Sequence, residues 1–214
     1  MHAEGFGDEV KRRVLRLPPP EQVIPAITGT EIELPCLLAA WLSLSMSEIR
    51  GLTKSKSLLN HQLFVVDTVV RVHGQDIRKE GGKEEQRTRA FTLPPYLEKL
   101  IDQVPGDVIC PLSIPQIEKR FDAALQAAGL PHMTFHQLRH LNASAMAMLG
   151  IQKEVAMERG GWKTPYTMDA VYTHTFDAPR RAADQAINAY FEGLIANKKL
   201  TNSKKRRVFK LVKV

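Results

Sequence analysis

The sequence predicts an α+β domain that is mainly α-helical and contains one small antiparallel β-sheet. Residues 34–44 (LPCLLAAWLSL) are apolar nearly all round, which is typical of a buried helix. Residues 63–72 (LFVVDTVVRV) are rich in β-branched side chains, which favour a strand. Much of the second half of the chain spaces its apolar residues at helical intervals. With 214 residues and 43% hydrophobic content, the chain is long enough to bury a core of its own.

The start of the chain, residues 1–30, reads as irregular. A stretch of mixed charge is followed there by Leu-Pro-Pro-Pro and by scattered threonine and glycine. We expect residues 1–28 to be a linker or the remnant of an N-terminal segment. The domain would then occupy residues 29–198, and residues 199–214 would be a basic tail. The polar N-terminus does not resemble a signal peptide, and no apolar run approaches the roughly 20 residues that span a bilayer.

Two helices are predicted next. Pro35 suits the first turn of the buried helix over residues 34–44. Ser45-Met-Ser-Glu48 then has the form of a capping box, in which the serine and glutamate side chains each accept a hydrogen bond from the other residue's backbone N–H. This pattern predicts a second, shorter helix that runs to about Gly51.

The predicted sheet is a single hairpin. Its first strand is residues 63–72 and its second is the alternating stretch RTRAFTL at residues 87–93, with the polar KEGGKEEQ forming a long, charged tip between them. Helices are predicted over residues 94–104, 114–130, 136–149, 152–159 and 178–198.

The charge of the chain is concentrated at its end. The net charge is +7, but eight basic residues and no acids lie in residues 198–214, so the rest of the chain is nearly neutral. A basic tail fits a polyanionic partner such as nucleic acid, and it equally fits a merely solvated segment. Cys36 and Cys110 stand far apart in apolar surroundings, which predicts buried thiols in a reducing compartment, the cytoplasm.

One motif places a cation and an imidazole at a helix start. In Thr134-Phe-His-Gln-Leu-Arg-His140, Thr134 and Gln137 fit a capping box, so His136 and Arg139 fall in the first turns of a helix. At positions i and i+3 they share a face near the positive end of the helix dipole. Such an arrangement suits a phosphate group. An ordinary amphipathic helix with a surface histidine and arginine would give the same letters.

A second motif follows 21 residues after Arg139. Gly160-Gly-Trp162 ends a short predicted helix, and Tyr172 comes ten residues after Trp162. A tyrosine after a turn is usually part of a core or a surface. Its distance from the His136 and Arg139 pair makes this one specific.

The order HxxR, then Gly-His or Gly-Trp, then a tyrosine nine or ten residues later resembles the signature of the tyrosine recombinases, the phage integrase family. The similarity is greatest to integrases of phages and conjugative elements, and it extends over roughly residues 34–194. It implies the catalytic-domain fold of that family, of the DNA breaking-rejoining type. The family has a catalytic lysine between two strands; Lys83 occupies that place, with Lys79 as the nearest competitor.

One position departs from the family pattern. The helix after the apolar helix opens there with a catalytic arginine, in a pattern like G-[LM]-R-x-S-E-[IL]-x-G-L, and Ser45 stands where the arginine belongs. Arg50 does not replace it, because five residues along a helix turn a side chain by about 140°. We expect Arg50 to be an exposed arginine. Ser45 is either a natural divergence or an inactivating substitution.

The resemblance implies a mechanism without a cofactor or metal. Tyr172 would be the nucleophile that attacks a DNA phosphodiester and forms a 3′-phosphotyrosyl intermediate. Lys83 would protonate the leaving 5′-oxygen, and Arg139 would bind the non-bridging oxygens. His136 would bind the phosphate and assist proton transfer, and Trp162 would have a positional role. With Ser45 in place of arginine, we expect normal DNA binding and poor cleavage.

The resemblance also implies partners. We expect double-stranded DNA at specific recombination sites, a monomer without DNA, a tetramer on paired sites, and an accessory excision or host factor. Integrases of this type usually carry N-terminal DNA-binding domains, so we expect this chain to be a fragment of a longer protein. In the tail, Lys204, Lys205, Arg206 and Arg207 are candidate DNA contacts, and residues 208–214 could add a strand in cis or in trans.

Three other functions fit parts of the sequence. A catalytically inert DNA-binding homologue is favoured by Ser45, and a type IB topoisomerase shares the tyrosine chemistry. A helical protein-interaction module would require the His136, Arg139 and Tyr172 pattern to be accidental. The Gly-Trp motif and the short hairpin favour the integrase.

Overall fold

The computed structural model describes residues 17–80, 89–162 and 164–165. These residues all belong to one compact unit, Met1–Thr173. Their helices are α1 Pro20–Ile27, α2 Glu33–Leu42, α3 Met46–Gly51, α4 Lys54–Ser57, α5 Pro95–Gln103, α6 Ile114–Ala127, α7 Gln137–Met148 and α8 Lys153–Gly160. Their strands are β1 Leu58–Leu59, β2 Gln62–Phe64, β3 Thr68–Val72, β4 Gln75–Lys79 and β5 Ala90–Thr92. The prediction of a mainly helical α+β domain is confirmed, but the described strands form two small antiparallel sheets where one was predicted.

Helix α2 forms the centre of the core. Nine of its ten residues are buried, and Trp41 is the exposed exception. The helix packs against α3, α5 and α7, so its nearly uniform apolar sequence is matched by neighbours on several sides. The prediction of a buried helix over residues 34–44 is confirmed, with its end at Leu42 because Ser43 adopts a left-handed conformation at φ 55°.

The prediction that residues 1–30 are irregular is wrong for Pro20–Ile27. These residues form α1, whose Val23 and Ile27 are completely buried. A proline at the first helical position leaves no backbone bond unmade, since that N–H has no partner within a helix. The Pro-Pro-Pro run therefore marks a helix start here, and the i, i+4 pair of apolar residues docks it on the core.

The predicted strand over residues 63–72 is also wrong, because it is broken at residues 65–67. Its first part, β2, pairs with β1 and β5 in one antiparallel sheet, and its second part, β3, pairs with β4 in another. Asp67 lies at the interruption, where its carboxylate is buried and binds Arg78 and Lys56 at 3.1 and 3.3 Å. The predicted pairing of the two runs is confirmed only between β2 and β5, where Leu63 faces Phe91 and Phe64 faces Ala90.

Strand β4 was missed altogether. Its sequence, QDIRK, is exposed at every position and therefore lacks the alternation that reveals a half-buried strand. The turn that joins it to β3 is the dipeptide His73-Gly74, with φ of 49° and 81°. Positive φ at both turn residues is the geometry of a two-residue hairpin.

The remaining predicted helices within the described residues are confirmed with small shifts at their ends. Helix α3 begins with both halves of the predicted capping box between Ser45 and Glu48. The predicted helix over residues 178–198 lies outside the described residues. Cys36 and Cys110 are both buried as free thiols, and burial raises the pKa of each. Among the described residues, no helix has both the length and the apolar content that a membrane crossing requires.

Candidate active site

The start of α7 presents the first of the predicted site residues. Residues 134–139 close successive i to i+3 backbone bonds, and the Thr134 N–H donates to Gln137 Oε1 at 2.7 Å. This bond is one half of the predicted capping box. His136 becomes the residue that precedes α7 and is exposed, whereas Arg139 turns inward and is only 7% exposed. The two side chains therefore leave the same helix start in different environments.

Arg139 is held from three directions. Its Nη1 donates to the Ser43 carbonyl and lies 3.4 Å from Glu48 Oε2, and its Nη2 donates to the Gly160 carbonyl at 2.8 Å. The guanidinium also lies 5.4 Å from the centre of the Trp162 ring. Burial and the nearby Arg89 lower the pKa of Arg139 while Glu48 opposes them, but an arginine remains protonated at neutral pH. The protein thus fixes a buried positive charge in one orientation.

Ser45 caps α3. Its Oγ donates to Glu48 Oε2 at 2.8 Å, its N–H donates to the same oxygen at 2.7 Å, and the Glu48 N–H donates back to Oγ at 3.3 Å. The serine in the arginine's place therefore has a local structural role. Ser43 stands where the family pattern has glycine, and its left-handed φ of 55° is the conformation that favours glycine.

Glu48 is the centre of the site, although the sequence indicated only its capping role. Its Oε1 accepts from Arg89 Nη2, and its Oε2 faces Ser45 and Arg139. Burial alone would raise the pKa of the Glu48 carboxyl, but Arg89 and the Ser45 hydrogen bonds outweigh burial and hold that pKa below its ordinary value. Glu48 is therefore a carboxylate that two guanidinium groups share.

Arg89 was also missed, because RTRAFTL was interpreted only as a strand. Besides Glu48, it binds the Arg159 carbonyl through Nη1 at 3.0 Å. Arg89 and Arg159 lie 5.6 and 5.3 Å from the centre of the buried Phe91 ring. The available signal was the arginine that immediately precedes the alternating Ala-Phe-Thr stretch.

The glycine pair positions Trp162. A Cβ atom on Gly160 would lie 2.0 Å from the Trp162 ring, so only glycine lets the ring pack there. Gly161 ends α8 with a left-handed φ of 66°, and the Trp162 N–H donates to the Met157 carbonyl at 3.0 Å. This turn brings the Gly160 carbonyl and the Trp162 ring to the same guanidinium, that of Arg139.

His136 and His140 lie edge to face, with ring centres 5.3 Å apart. Desolvation by the surrounding protein lowers the pKa of both, and the charge of Arg139 adds to this effect. Although His136 is at the surface, its imidazole is therefore neutral at neutral pH. A neutral imidazole can accept a proton or a hydrogen bond.

The prediction that Arg50 is exposed is wrong. Its side chain is 10% exposed, and its two Nη atoms bind both oxygens of Asp76 at 3.0 and 2.6 Å. This pairing arises because β4, which the sequence did not reveal, brings Asp76 beside α3. Arg50 is thus engaged away from the Glu48 cluster.

The structure brings Ser45 and Arg139 together at Glu48, places Trp162 against the Arg139 guanidinium, and puts His136 at the start of the same helix as Arg139. Lys79 is exposed at the end of β4. Lys83, Tyr172 and the tail residues Lys204, Lys205, Arg206 and Arg207 lie outside the described residues. Among the residues described, no group of three or more histidine, cysteine or acidic side chains could hold a metal ion.

The chain is similar to proteins of one family. The sequence profile described as "Phage integrase family" matches residues 38–178. A curated protein from Saccharopolyspora erythraea, described as "Integrase", is 35% identical over 71 residues. This match covers 33% of the present chain and 16% of that protein, so it spans a small part of the relative's length.

Solved structures share the fold. The Tn1549 transposon integrase (aa 82–397), in complex with circular intermediate DNA, matches with a TM-score of 0.63 and 18% identity over 80% of this chain and 67% of that one. XerH recombinase bound to palindromic difH substrate matches with a TM-score of 0.57 and 16% identity over 80% and 53%. The catalytic domain of bacteriophage HP1 integrase matches with 0.50 and 17% over 77% and 89%. The predicted catalytic-domain fold is confirmed.

Proposed function

This chain belongs to the phage integrase family, and we propose that it is the catalytic domain of a site-specific tyrosine recombinase that cleaves and rejoins DNA strands. The observation that carries the proposal is the charge balance around Arg139. Among the described residues, Arg89 and Arg139 both form their ion pairs with the same carboxylate, that of Glu48. Two guanidinium groups with one carboxylate leave an excess of positive charge, which a phosphodiester would neutralise.

In the proposed reaction, Tyr172 is the nucleophile. Its hydroxyl oxygen attacks the scissile phosphorus, the tyrosine proton passes to His136, and the bond from phosphorus to the 5′-oxygen breaks. Lys83 donates a proton to the leaving 5′-oxygen. The product is a 3′-phosphotyrosyl link and a free 5′-hydroxyl. Because the phosphoester bond is conserved, a second 5′-hydroxyl can reverse the steps and rejoin the strand without ATP.

Arg139 binds the non-bridging oxygens as charge develops on them. The Ser43 and Gly160 carbonyls hold its guanidinium in place, so little reorganisation accompanies the reaction. Trp162 supports this orientation from the ring face. The lowered pKa of His136 keeps its imidazole neutral and therefore able to accept the tyrosine proton.

We further propose that cleavage by this chain is impaired. Ser45 supplies no charge to the phosphate, and removing one electrostatic donor from such a site costs about 10²–10³ in rate. The capping bonds of Ser45 to Glu48 keep α3 and the carboxylate in place. Impairment would then affect the chemical step and leave DNA binding intact.

We propose double-stranded DNA at specific recombination sites as the substrate, for the integration or excision of a mobile element, with the cytoplasm as location. The assembly proposed on paired sites is a tetramer of this chain, formed from monomers, with an accessory factor. An apolar cavity of about 570 Å³ supports a neighbouring protomer as partner, since its lining includes the exposed side chains of Leu149 and Val155. The basic tail residues 204–207 are proposed DNA contacts.

The test is covalent trapping on a DNA duplex that carries a nick beside the cleavage site, so that the short 5′-hydroxyl strand diffuses away. We expect the wild-type chain to accumulate a slow protein–DNA adduct and the S45R variant to accumulate it faster. The Y172F variant is the control, because it keeps the fold and removes the attacking oxygen.

Each outcome has a distinct meaning. Adduct formation by Y172F, or none by either wild-type protein or S45R while both bind the duplex, would overturn the recombinase proposal. Wild-type trapping as fast as that of S45R would retain the enzyme and overturn the impairment.

A further inference from the structure

Arg89 has a place in the site that neither the sequence pattern nor the proposed mechanism assigns. We propose that Arg89 is a second phosphate-binding residue, which contacts the same phosphate as Arg139 and partly replaces the guanidinium absent at Ser45. This inference rests on the proposed function of the site. It adds a residue to the site and explains how the chain could still cleave DNA slowly without an arginine at position 45.

The first argument is the shared carboxylate. Arg89 Nη2 binds Glu48 Oε1, while Arg139 Nη1 lies 3.4 Å from Glu48 Oε2. The two oxygens of a carboxylate are separated by one carbon atom, so the two guanidinium groups are close neighbours. Their mutual influence agrees with this: the charge of Arg89 contributes to lowering the pKa of Arg139.

The second argument is the position of Ser45 in the same cluster. Ser45 Oγ donates to Glu48 Oε2 at 2.8 Å, the oxygen that also faces Arg139. A side chain that starts at position 45 therefore begins beside the carboxylate that holds Arg89. With the short serine there, Arg89 and Arg139 are the guanidinium groups that reach Glu48, and Arg89 also lies close to Gly161 of the Gly160-Gly161 turn.

The third argument is the charge balance and the remaining donors. Arg159 adds a further guanidinium near Arg89, and burial together with Arg89 lowers its pKa. Among the described residues, the bonds of Arg89 to Glu48 and to the Arg159 carbonyl use two of its five N–H groups. Three N–H groups remain for another acceptor. The Arg89 side chain is 16% exposed, so it is mostly but not completely buried.

A purely structural role for Arg89 predicts a different result from a role in phosphate binding. If Arg89 served only to hold Glu48, its loss would leave the salt dependence of duplex binding unchanged, and it would lower the melting temperature most where Ser45 is the other residue that holds the carboxylate. If Arg89 binds the phosphate in place of the missing arginine, its loss should matter much less once an arginine is restored there. The two roles are therefore separated by a double-mutant cycle between positions 45 and 89 taken together with the salt dependence of duplex binding.

The experiment measures adduct formation on the nicked duplex by the full chain and by R89Q, S45R and S45R/R89Q. We expect R89Q to slow trapping by about 10²-fold with Ser45 present and by less than about tenfold in the S45R background. Equal losses in both backgrounds would overturn the proposal. R120Q is the matched control, because Arg120 pairs with Glu31 and not with Glu48. It removes the same charge and should leave trapping unchanged.

A second readout does not depend on cleavage. In the Y172F background, R89Q should reduce the slope of log K against log salt for duplex binding by about 0.9, the value for one phosphate contact, and R120Q should not. An unchanged slope with R89Q would overturn the proposal even if trapping fell. If no variant forms an adduct, the proposed function fails and the slope alone decides the role of Arg89.

Folding is controlled with the lysine variant. R89K keeps a cation beside Glu48 but loses the planar fork that binds two oxygens. We expect it to melt near the wild-type temperature, to slow trapping less than R89Q does, and to recover fully in the S45R background. If R89Q does not fold, R89K is compared in the two backgrounds, and an equal loss there counts against phosphate binding.

Discussion

Two arginines on neighbouring parts of the molecule differ in how their charge is balanced. Arg50 binds both oxygens of Asp76, and within the described part of the chain no second guanidinium forms an ion pair with that carboxylate. Arg139 shares Glu48 with Arg89, so two guanidinium groups meet one carboxylate. Both arginines have a buried Nε without a partner among the described residues. An unpaired nitrogen therefore does not distinguish a ligand site from a structural pair, whereas the excess of charge does.

The difference has a physical cause. A structural ion pair is most stable when each charge is neutralised within the protein, and Asp76 does this for Arg50 while it anchors the β3–β4 hairpin to α3. A site for an anion must leave part of its positive charge unneutralised until the ligand arrives. The cost of holding Arg89 near Arg139 is offset by the carbonyl groups and the carboxylate that orient them.

The largest expected effect comes from replacing Arg139 with glutamine, and the same replacement at Arg50 is the comparison. R139Q should reduce adduct formation by about 10²–10³-fold, because it removes a preorganised donor to the developing charge. R50Q should leave adduct formation per folded molecule unchanged and lower the melting temperature slightly. Trapping rates and melting curves of both variants provide the measurement.

The distinction between the two arginines would be wrong if R50Q slowed trapping as much as R139Q. Charge balance would then not separate the two sites. To control for the loss of ion pairs in general, R120Q should behave like R50Q, since Arg120 has its own carboxylate at 2.8 Å on Glu31.

A smaller effect is expected from G160A, which changes no charge. The new methyl group would lie 2.0 Å from the Trp162 ring and must displace it from Arg139. Overpacking of this kind costs about 1–3 kcal/mol in the free energy of unfolding. We expect trapping by the folded protein to fall about tenfold, since small misplacements in a catalytic site are costly.

The matched control for G160A is G150A. Gly150 follows α7 with φ of 70°, and a Cβ there would meet nothing within 4 Å. Alanine at this position introduces backbone strain alone, so it should lower the melting temperature without slowing trapping. If G160A forms the adduct at the wild-type rate, the contact of Trp162 with Arg139 does not position the guanidinium.

The sequence predicted the parts of the fold and site that depend on local patterns. Ser45 and Glu48 carry their capping box within four residues, and the buried helix α2 is apolar throughout. The pattern of His136, Arg139 and Trp162 gave the family, which the profile match bears out. Helix α1 was missed because its prolines, including Pro25 within the helix, were taken as a sign of irregular structure, and strand β4 was missed because an exposed polar strand has no alternating apolar signal.

What the sequence could not predict depends on contacts between distant residues. Glu48 and Arg89 are 41 positions apart, and the pairing of Arg50 with Asp76 requires a strand that had not been recognised. Charge balance is a property of such contacts and not of composition. The residues that distinguish the two arginine sites were therefore visible only after the chain was folded.

The smallest expected effect concerns pH, and it tests whether the positive excess reaches the neighbouring histidines. Burial and Arg139 lower the pKa of His136 and His140 in the folded chain, so at pH values below the ordinary histidine pKa of about 6.5 the unfolded chain binds more protons. The free energy of unfolding must then fall as pH decreases from about 6.5 through the lowered folded pKa, and these two groups do not affect it above that range.

Urea unfolding from about pH 5 to 8 measures this effect. The free energy of unfolding should depend more steeply on pH for the wild-type chain than for H136Q/H140Q. R50Q should keep the wild-type dependence, and R139Q should reduce it, because only Arg139 of the two acts on these imidazoles. Parallel curves for the wild-type chain and H136Q/H140Q would show that neither burial nor the charge of Arg139 shifts these two imidazoles.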